Sequence, residues 1–329
     1  MRWMHRVRLY PTAKQEEQLR FMLDVTRQLY NALLDQRRYA WTARHIRVTT
    51  KQQYAEITSL RAEDARLEAV YRECLDAVLH RLDLAFAAFF RRCTHGETPG
   101  YPRFRPKSRW RQLEFPHGGR ALKFSGEAQK KVRVPGVGWI RLRKGRMVPE
   151  FGRALLIEKN GRWYAVFECS REPQALPKTG KVTGIDRGVH VLAATSEGQL
   201  IRNGRPQERR ARITTRLQRE VEAVTERDSR RRCINRSDPT RIAAVRRLAR
   251  SREREANVRL DALHKSALEI VRSADVIGLE KLNLRAMTRS AKGTVEAPGR
   301  NVAAKRGVNR VILDAGFGIL ARLIREKAE

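Results

Sequence analysis

Two acidic residues close apolar stretches in a chain that is otherwise strongly basic. Asp186 ends Val182-Thr183-Gly184-Ile185-Asp186 and is followed by Arg187-Gly188; Glu280 ends Ala274-Asp275-Val276-Ile277-Gly278-Leu279-Glu280. A carboxylate at the end of a strand faces the edge of its sheet, where a ligand can reach it. One such Asp can simply cap its own turn. Two, on separate strands in the chain order hairpin, helix, strand, point to a shared divalent-cation site. Hard oxygen ligands select Mg²⁺ or Mn²⁺. Two such ions roughly 4 Å apart can polarise the attacking water and the leaving oxygen of a phosphodiester. That arrangement needs a third and often a fourth ligand. Asp275 begins the Glu280 strand, too far along it to help, and Asp314 falls near a cap on the last helix.

The charge balance names the kind of partner. Lys and Arg number 70 against 36 acids, a net charge of +34. So large a surplus implies a phosphate-rich ligand and binding that weakens as salt rises. No apolar run approaches the ~20 residues of a spanning helix. The start, Met1-Arg2-Trp3-Met4-His5-Arg6, has no apolar signal core. These features predict a cytoplasmic, nucleoid-associated protein with no membrane partner. Cys74, Cys93, Cys169 and Cys233 form no Cys-x-x-Cys pair, so neither a zinc knuckle nor a disulfide framework is expected. No histidines show paired metal spacing, and His264, set among Leu260, Leu263, Ala267 and Ile270, reads as a buried structural residue. A nucleotide-hydrolysing Gly-rich loop is also missing.

Two stretches could carry the nucleic acid. From Arg202 to Arg259 there are 19 Arg, no Lys and 8 acids. Helical pairs such as Glu226 with Arg230 can neutralise only some of these arginines. Arg favours bidentate phosphate contact, so this stretch, with Arg216, Arg246, Arg247 and Arg250, reads as a channel wall. The segment Gly100 to Arg111 interleaves rings with cations. Tyr101 and Phe104 can stack on unpaired bases while Arg103, Arg105, Lys107 and Arg109 hold phosphates. Equally, Tyr101 and Phe104 can anchor the loop in a core.

The elements that position these groups follow from periodicity. Residues 2 to 10 alternate as a strand, with Trp3, His5, Val7 and Leu9 on one side. Pro11 ends it, and Thr12 with Gln15 spells a capping box. A helix follows with Leu19, Met22, Leu23, Leu29, Tyr30 and Leu33 on one face, then a second over about 66 to 92. Six short strands fill the region to about residue 172, with Asn160-Gly161 as a primed hairpin turn between the last two. This spacing suggests a small barrel that the N-terminal strand completes. After a linker over 173–180, three short strands, a long helical stretch broken near Ser237-Asp238-Pro239, the 274–280 strand and a last helix from near Asn309 give the order of an RNase H-like fold. The nearly continuous apolar run Ala274 to Leu279 predicts a strand buried on both faces.

These pieces, in order, resemble the TnpB (OrfB) family of transposon-encoded RNA-guided nucleases. They include Arg8-Leu9-Tyr10-Pro11-Thr12, Leu29-Tyr30-Asn31-Ala32-Leu33, Gly100-Tyr101-Pro102-Arg103-Phe104 and Gly161-Arg162-Trp163-Tyr164. Further on come Gly184-Ile185-Asp186-Arg187-Gly188, Gly278-Leu279-Glu280-Lys281-Leu282-Asn283 and Asn309 through Asp314. The resemblance implies an α+β multidomain chain: a wedge-like β-barrel (residues 1–11 and 93–175), an inserted helical recognition module (12–92) and an RNase H-like RuvC domain (181–329). It implies a guide RNA from the element and a double-stranded DNA target as partners, with Asp186 and Glu280 as the first two metal-binding catalytic acids. The family continues past the Asn309 helix with a strand, a four-cysteine zinc ribbon and a third catalytic Asp. None of these occurs before Glu329, so the expectation is a C-terminally incomplete nuclease domain without the zinc ribbon or third acid. On this reading the chain is an RNA-guided, metal-dependent DNA endonuclease crippled by that loss, or a guide-RNA-dependent DNA binder or RNA-binding remnant that does not cleave.

Overall fold

The structure is a computed structural model that describes residues 2–329 apart from 144, 146, 171, 173–174, 231–237 and 295, and the side chains of 227–230. Cys233, Ser237 of the expected helix break, Arg230 of the expected pair with Glu226, and Pro173 at the start of the expected linker lie outside the described residues. The chain divides into two compact units, Met1–Glu172 and Pro173–Glu329.

In the first unit, β1 (Arg2–Tyr10) buries Val7 and Leu9 and turns Arg6 outward. Thr12 and Gln15 make the capping box that starts α1 (Ala13–Arg44), and Leu19, Met22, Leu23, Leu29, Tyr30 and Leu33 form its buried face. The helix expected over about 66 to 92 is interrupted: α3 (Ala65–Glu68) ends before α4 (Arg72–Thr94) begins. A further helix, α2 (Thr50–Glu63), went unread because its apolar stripe is thin. It buries only Gln53 and Ile57. Polar bonds hold it instead: Gln53 donates to the Leu33 carbonyl at 2.9 Å, and Arg37 bridges Gln53 at 2.7 Å and Asp83 at 2.6 Å.

The remaining strands are β2 (Gln112–Phe115), β3 (Lys123–Phe124), β4 (Lys131–Val134), β5 (Gly138–Leu142), β6 (Phe151–Lys159) and β7 (Arg162–Ser170). They join β1 in one antiparallel sheet of order β2-β6-β7-β1-β5-β4-β3. Asn160 (φ 54°) and Gly161 (φ 69°) both take the left-handed conformation that a primed turn needs between β6 and β7. The sheet curls strongly. Phe124, on one edge strand, packs its ring on Phe151 at 5.9 Å and Phe167 at 5.7 Å, several strands away in hydrogen-bonding order. Among the described residues β2 and β3 do not pair, so the expected small barrel takes the form of a curled sheet. A helical turn, α5 (Gly118–Ala121), presses on β6 so closely that a Cβ on Gly118 would meet the Ala154 Cβ at 2.7 Å.

The second unit contains β8 (Val182–Asp186), β9 (Val191–Thr195), β10 (Leu200–Arg202) and β11 (Val276–Leu279), in the order β10-β9-β8-β11. The first three are antiparallel neighbours, and β11 lies parallel to β8. Long helices α6 (Pro206–Arg230) and α7 (Pro239–Ser273) precede β11. After it come α8 (Leu284–Met287), α9 (Val302–Ala315) and α10 (Phe317–Ala328). Leu263, Ala267 and Ile270 of α7 and Phe317, Leu320 and Ile324 of α10 share one core with Ile185, Leu192, Ala193 and Ile201 of the sheet.

Two expectations need correction here. The β11 strand is not buried on both faces: Val276 is 57% exposed and its register partner Val182 69%. Ile277 and Leu279 pack against the core, while the outward positions are filled by Val276 and Gly278. Alternation was present but written in apolar letters, which hid it. The last helix is also not one run from Asn309. It is α9 and α10, separated at Gly316, whose left-handed φ of 72° ends α9. A Cβ there would sit 2.9 Å from Leu263 Cδ1. Apolar periodicity continues through the break because both helices face the same core. Among the described residues no helix is long and apolar enough to cross a membrane.

Candidate functional site

The ladder between β8 and β11 runs Val276↔Val182 to Leu279↔Ile185. Asp186 is the last residue of β8, and Glu280 directly follows the last residue of β11. Neighbouring strands lie about 4.8 Å apart, and in-register residues of a parallel pair point to the same face. Both acids therefore come at the same end of the parallel pair, and both are exposed. Neither carboxylate has a hydrogen bond or an ion pair from any described residue.

Two glycines prepare the surface beside them. Gly184 and Gly278 pair in register, each two residues before an acid on the same face. Neither has a positive φ. A Cβ on Gly278 would lie 3.8 Å from the Gly184 Cα, and one on Gly184 would lie 4.0 Å from the Ser196 Cβ, both ordinary contacts. Backbone conformation and packing thus do not demand glycine at either place. What two bare residues provide is close access to the backbone beside the carboxylates.

Arg187 ties the two strand ends together from the buried side. It is 7% exposed; Nη2 donates to the Glu280 carbonyl, and Nη1 donates to the Phe317 carbonyl at 3.2 Å. Burial lowers its pKa, against the opposing influence of the Glu280 and Asp186 charges. The planar guanidinium satisfies two carbonyls on different elements at once, so it fixes how far apart the acid-bearing ends stand. Sequence reading passed over Arg187 because its partners are 93 and 130 residues away.

The two other acids weighed as ligands, Asp275 and Asp314, are already engaged. Asp275 accepts from the Thr179 and Gly180 backbone N–H groups, each at 2.8 Å, and from the Thr179 hydroxyl at 3.0 Å. These bonds lower its pKa. Asp314 accepts from the Gln207 N–H at 3.1 Å and pairs with Arg259 at 3.1 Å, closing the start of α6; burial raises its pKa. Among the described residues no group of three or more His, Cys, Asp or Glu is placed to hold a metal ion. His264 is exposed, not buried as expected, because the buried stripe of α7 runs beside it through Leu263, Ser266 and Ala267.

Comparison with known proteins matches this region. The OrfB_IS605 family, described as "Probable transposase", matches residues 165–291, and its companion "Helix-turn-helix domain" matches residues 1–45. Over these two stretches the chain is similar to the TnpB (OrfB) family. The first match takes in both acids, both glycines and Arg187. Residues 2–44 of this chain form a strand and a single long helix rather than a helix-turn-helix. "Putative RNA-guided DNA endonuclease InsQ" of Escherichia coli (strain K12) is 29% identical over 77% of this chain and 59% of its own length. A "Putative RNA-guided DNA endonuclease" of Streptomyces pristinaespiralis is 27% identical over 87% of this chain and 68% of its own. The chain thus spans about three fifths to two thirds of these relatives. A solved Cas12f1-sgRNA-target DNA complex aligns with a TM-score of 0.34 at 12% identity, covering 98% of this chain and 83% of the other.

The residues expected to bind nucleic acid divide by environment. Tyr101 sets its edge against Phe86 at 5.6 Å and Phe89 at 5.3 Å. Asn31 pins the Arg105 backbone from both sides, at 2.8 Å and 3.2 Å. Trp110, buried, donates to the Thr26 hydroxyl at 3.0 Å. The loop is therefore anchored, while Arg103, Phe104, Lys107 and Arg109 stand exposed. On the α6–α7 pair, Arg216 and Arg247 are exposed and Arg246 and Arg250 half-buried; Arg247 pairs with Glu220 at 3.3 Å. A polar seam joins these helices, with Arg210 bonded to Ser251 at 3.3 Å and Thr214 bonded to Glu255.

Proposed function

We propose that this chain is an RNA-guided, divalent-metal-dependent DNA endonuclease of a transposable element, with Asp186 and Glu280 at its cleavage site. The observation that carries the reading is that two exposed, unengaged acids, Asp186 and Glu280, come at the same end of the parallel β8–β11 pair, each two residues after a glycine of the register-matched pair Gly184 and Gly278, in a protein of net charge +34. The names of the curated relatives support it. In this reading the curled sheet is the wedge-like barrel, the helices between β1 and β2 are the recognition module, and the order β10-β9-β8-β11 is the RNase H-like core of the RuvC domain.

Two hard-oxygen ligands fit one Mg²⁺ or Mn²⁺, an ion usually held by one or two carboxylates together with water and substrate phosphate. Bound there, the ion supplies Lewis-acid activation of a phosphodiester. The chain's own contribution is positional. Asp186 and Glu280 offer the charge, Arg187 fixes their spacing, and the bare Gly184 and Gly278 let a phosphate backbone come close. Arginines of α6 and α7 and the cations of the 100–111 loop attract the guide RNA and the double-stranded target.

A second reading is guide-dependent DNA binding without cleavage. It is favoured by the ligand count, since a pair of ions needs three or more ligands and no group of three His, Cys, Asp or Glu is placed to hold a metal among the described residues. Purified chain with guide RNA, target DNA and Mg²⁺ decides between them. Cutting that disappears in Asp186→Ala is the expected result. Intact target that nevertheless binds, in the wild type and in Asp186→Ala alike, leaves the binding reading in its place.

A further inference from the structure

We infer that Asp275 is a positioning residue: by clamping Thr179 and Gly180 to the start of β11, it sets the level of β11 along β8 and so where Glu280 comes out relative to Asp186. The inference rests on the proposed function for the metal ion, though the clamp itself can be tested without one. The pairing of the two strands is weakly specified by their own side chains. Their ladder runs only from Val276↔Val182 to Leu279↔Ile185. A parallel slip of two positions keeps every side chain on its face. It merely exchanges one apolar residue for another at the core, since Ile277 and Leu279 both pack there. The outward positions offer no lock either. Gly184 and Gly278 have no side chains to interdigitate, and Val182 and Val276 are exposed. Yet such a slip would carry Glu280 roughly 7 Å along the sheet, too far to share a cation with Asp186.

Arg187 ties the acid-bearing end of the pair, and Asp275 ties the other. Asp275 Oδ1 accepts from the Thr179 N–H at 2.8 Å and the Thr179 hydroxyl at 3.0 Å, and Oδ2 accepts from the Gly180 N–H at 2.8 Å. Successive backbone N–H groups aimed at one carboxylate form an anion-binding concavity. Gly180 turns there with a left-handed φ of 72°. The backbone closes the clamp from the other side. The N–H groups of Asp275 and Val276 donate to the Lys181 carbonyl at 2.9 Å and 3.3 Å, and the Lys181 N–H donates to the Thr179 hydroxyl at 3.3 Å. Residues 179–181 lead directly into β8, and Asp275 and Val276 open β11. Both oxygens of Asp275 meet these donors only when the strands stand at the observed level. The Thr179 and Gly180 N–H groups also hold its carboxyl below the usual carboxylate range, so the clamp keeps its charge. From Asp275 to Glu280 is roughly 16 Å of extended strand. Asp275 therefore acts on the acid pair through β11, not as a ligand.

Cysteine crosslinking in the full chain reads the register with no metal present. In a background where Cys93 and Cys233 are replaced by Ser, Val182→Cys with Val276→Cys reports the native level, and Val182→Cys with Gly278→Cys reports a slip of two positions. At the native level the first pair stands about 4.8 Å apart and the second about 8 Å, within and beyond the span of a disulfide. Adding Asp275→Ala should slow the first crosslink several-fold and let the second form. In the otherwise native chain, Asp275→Ala should weaken Mn²⁺ binding about tenfold, measured by calorimetry at a temperature where the variant is folded. Asp275→Asn keeps an oxygen for Thr179 and loses the Gly180 bond, so it should fall between the two. A wild-type crosslinking pattern in Asp275→Ala overturns the clamp, even if the melting temperature drops. A changed pattern with unchanged Mn²⁺ affinity overturns the positioning role. A wild-type chain that binds no Mn²⁺ overturns the metal reading instead, and a changed crosslinking pattern then still supports the clamp.

Discussion

The open end of the β8–β11 pair and the buried junction of α6, α7 and α9 each present acids, and they use them in opposite ways. At the junction the acids are engaged: Asp314 takes the Gln207 N–H and the Arg259 guanidinium, and Glu255 takes the Thr214 hydroxyl. At the strand ends the backbone is the part that is tied, through Arg187 and the Glu280 carbonyl, while the carboxylates stay out of every internal bond. A buried acid with matched partners holds elements together. An acid whose backbone is fixed and whose side chain is free is arranged for something that arrives. Position in the sequence pattern does not separate the two classes. Engagement of the carboxylate oxygens does.

Substitutions can break or sharpen that contrast. Asp186→Ala should reduce cleavage to background while shifting unfolding by no more than about 0.5 kcal/mol, since no internal bond is lost. A large stability loss in urea would place Asp186 with the structural acids instead. Asp314→Ala should do the reverse. It strands Arg259 and the start of α6, costing about 3 kcal/mol, yet Mn²⁺ affinity at the strand ends should not change at temperatures where the chain is folded. Arg187→Ala bridges the two regions. It leaves two carbonyls without a donor, at about 1–3 kcal/mol, and it should also weaken Mn²⁺ binding. Arg187→Lys should recover stability better than it recovers metal affinity, because one ammonium cannot span both carbonyls. The smallest effect is expected from Gly278→Ala, with stability within about 0.5 kcal/mol of wild type and cleavage or target binding reduced several-fold. Unchanged activity there would show that nothing approaches the glycine surface.

Much of this arrangement could be read from residue order, and the failures have physical causes. Asp186 and Glu280 stood out because each ends an apolar run, and the capping box at Thr12 and the turn at Asn160-Gly161 depend only on local geometry. The helix α2 was missed because Gln53, a polar residue, does the work of a core position. The exposed face of β11 was missed because its outward residues are Val276 and Gly278, which look like core. Gly316 was overlooked inside a stripe that continues past it. Asp314 and Asp275 were set aside on position alone, and their bonding now gives the reason. Arg187 could not be found locally, since both of its acceptors belong to distant segments.

The parallel pairing of β8 with β11 also sets a timetable. Closing a loop between residues as far apart as Arg187 and Glu280, 93 positions, carries an entropic cost that local hairpins avoid, and such contacts form slowly. The β8–β9–β10 meander can assemble as soon as it is synthesised, carrying Asp186 alone. Glu280 joins it only after α6 and α7 have been made and folded back. A nascent chain therefore acquires its basic surfaces before it acquires the acid pair, and can take hold of a polyanion before it is able to act on one.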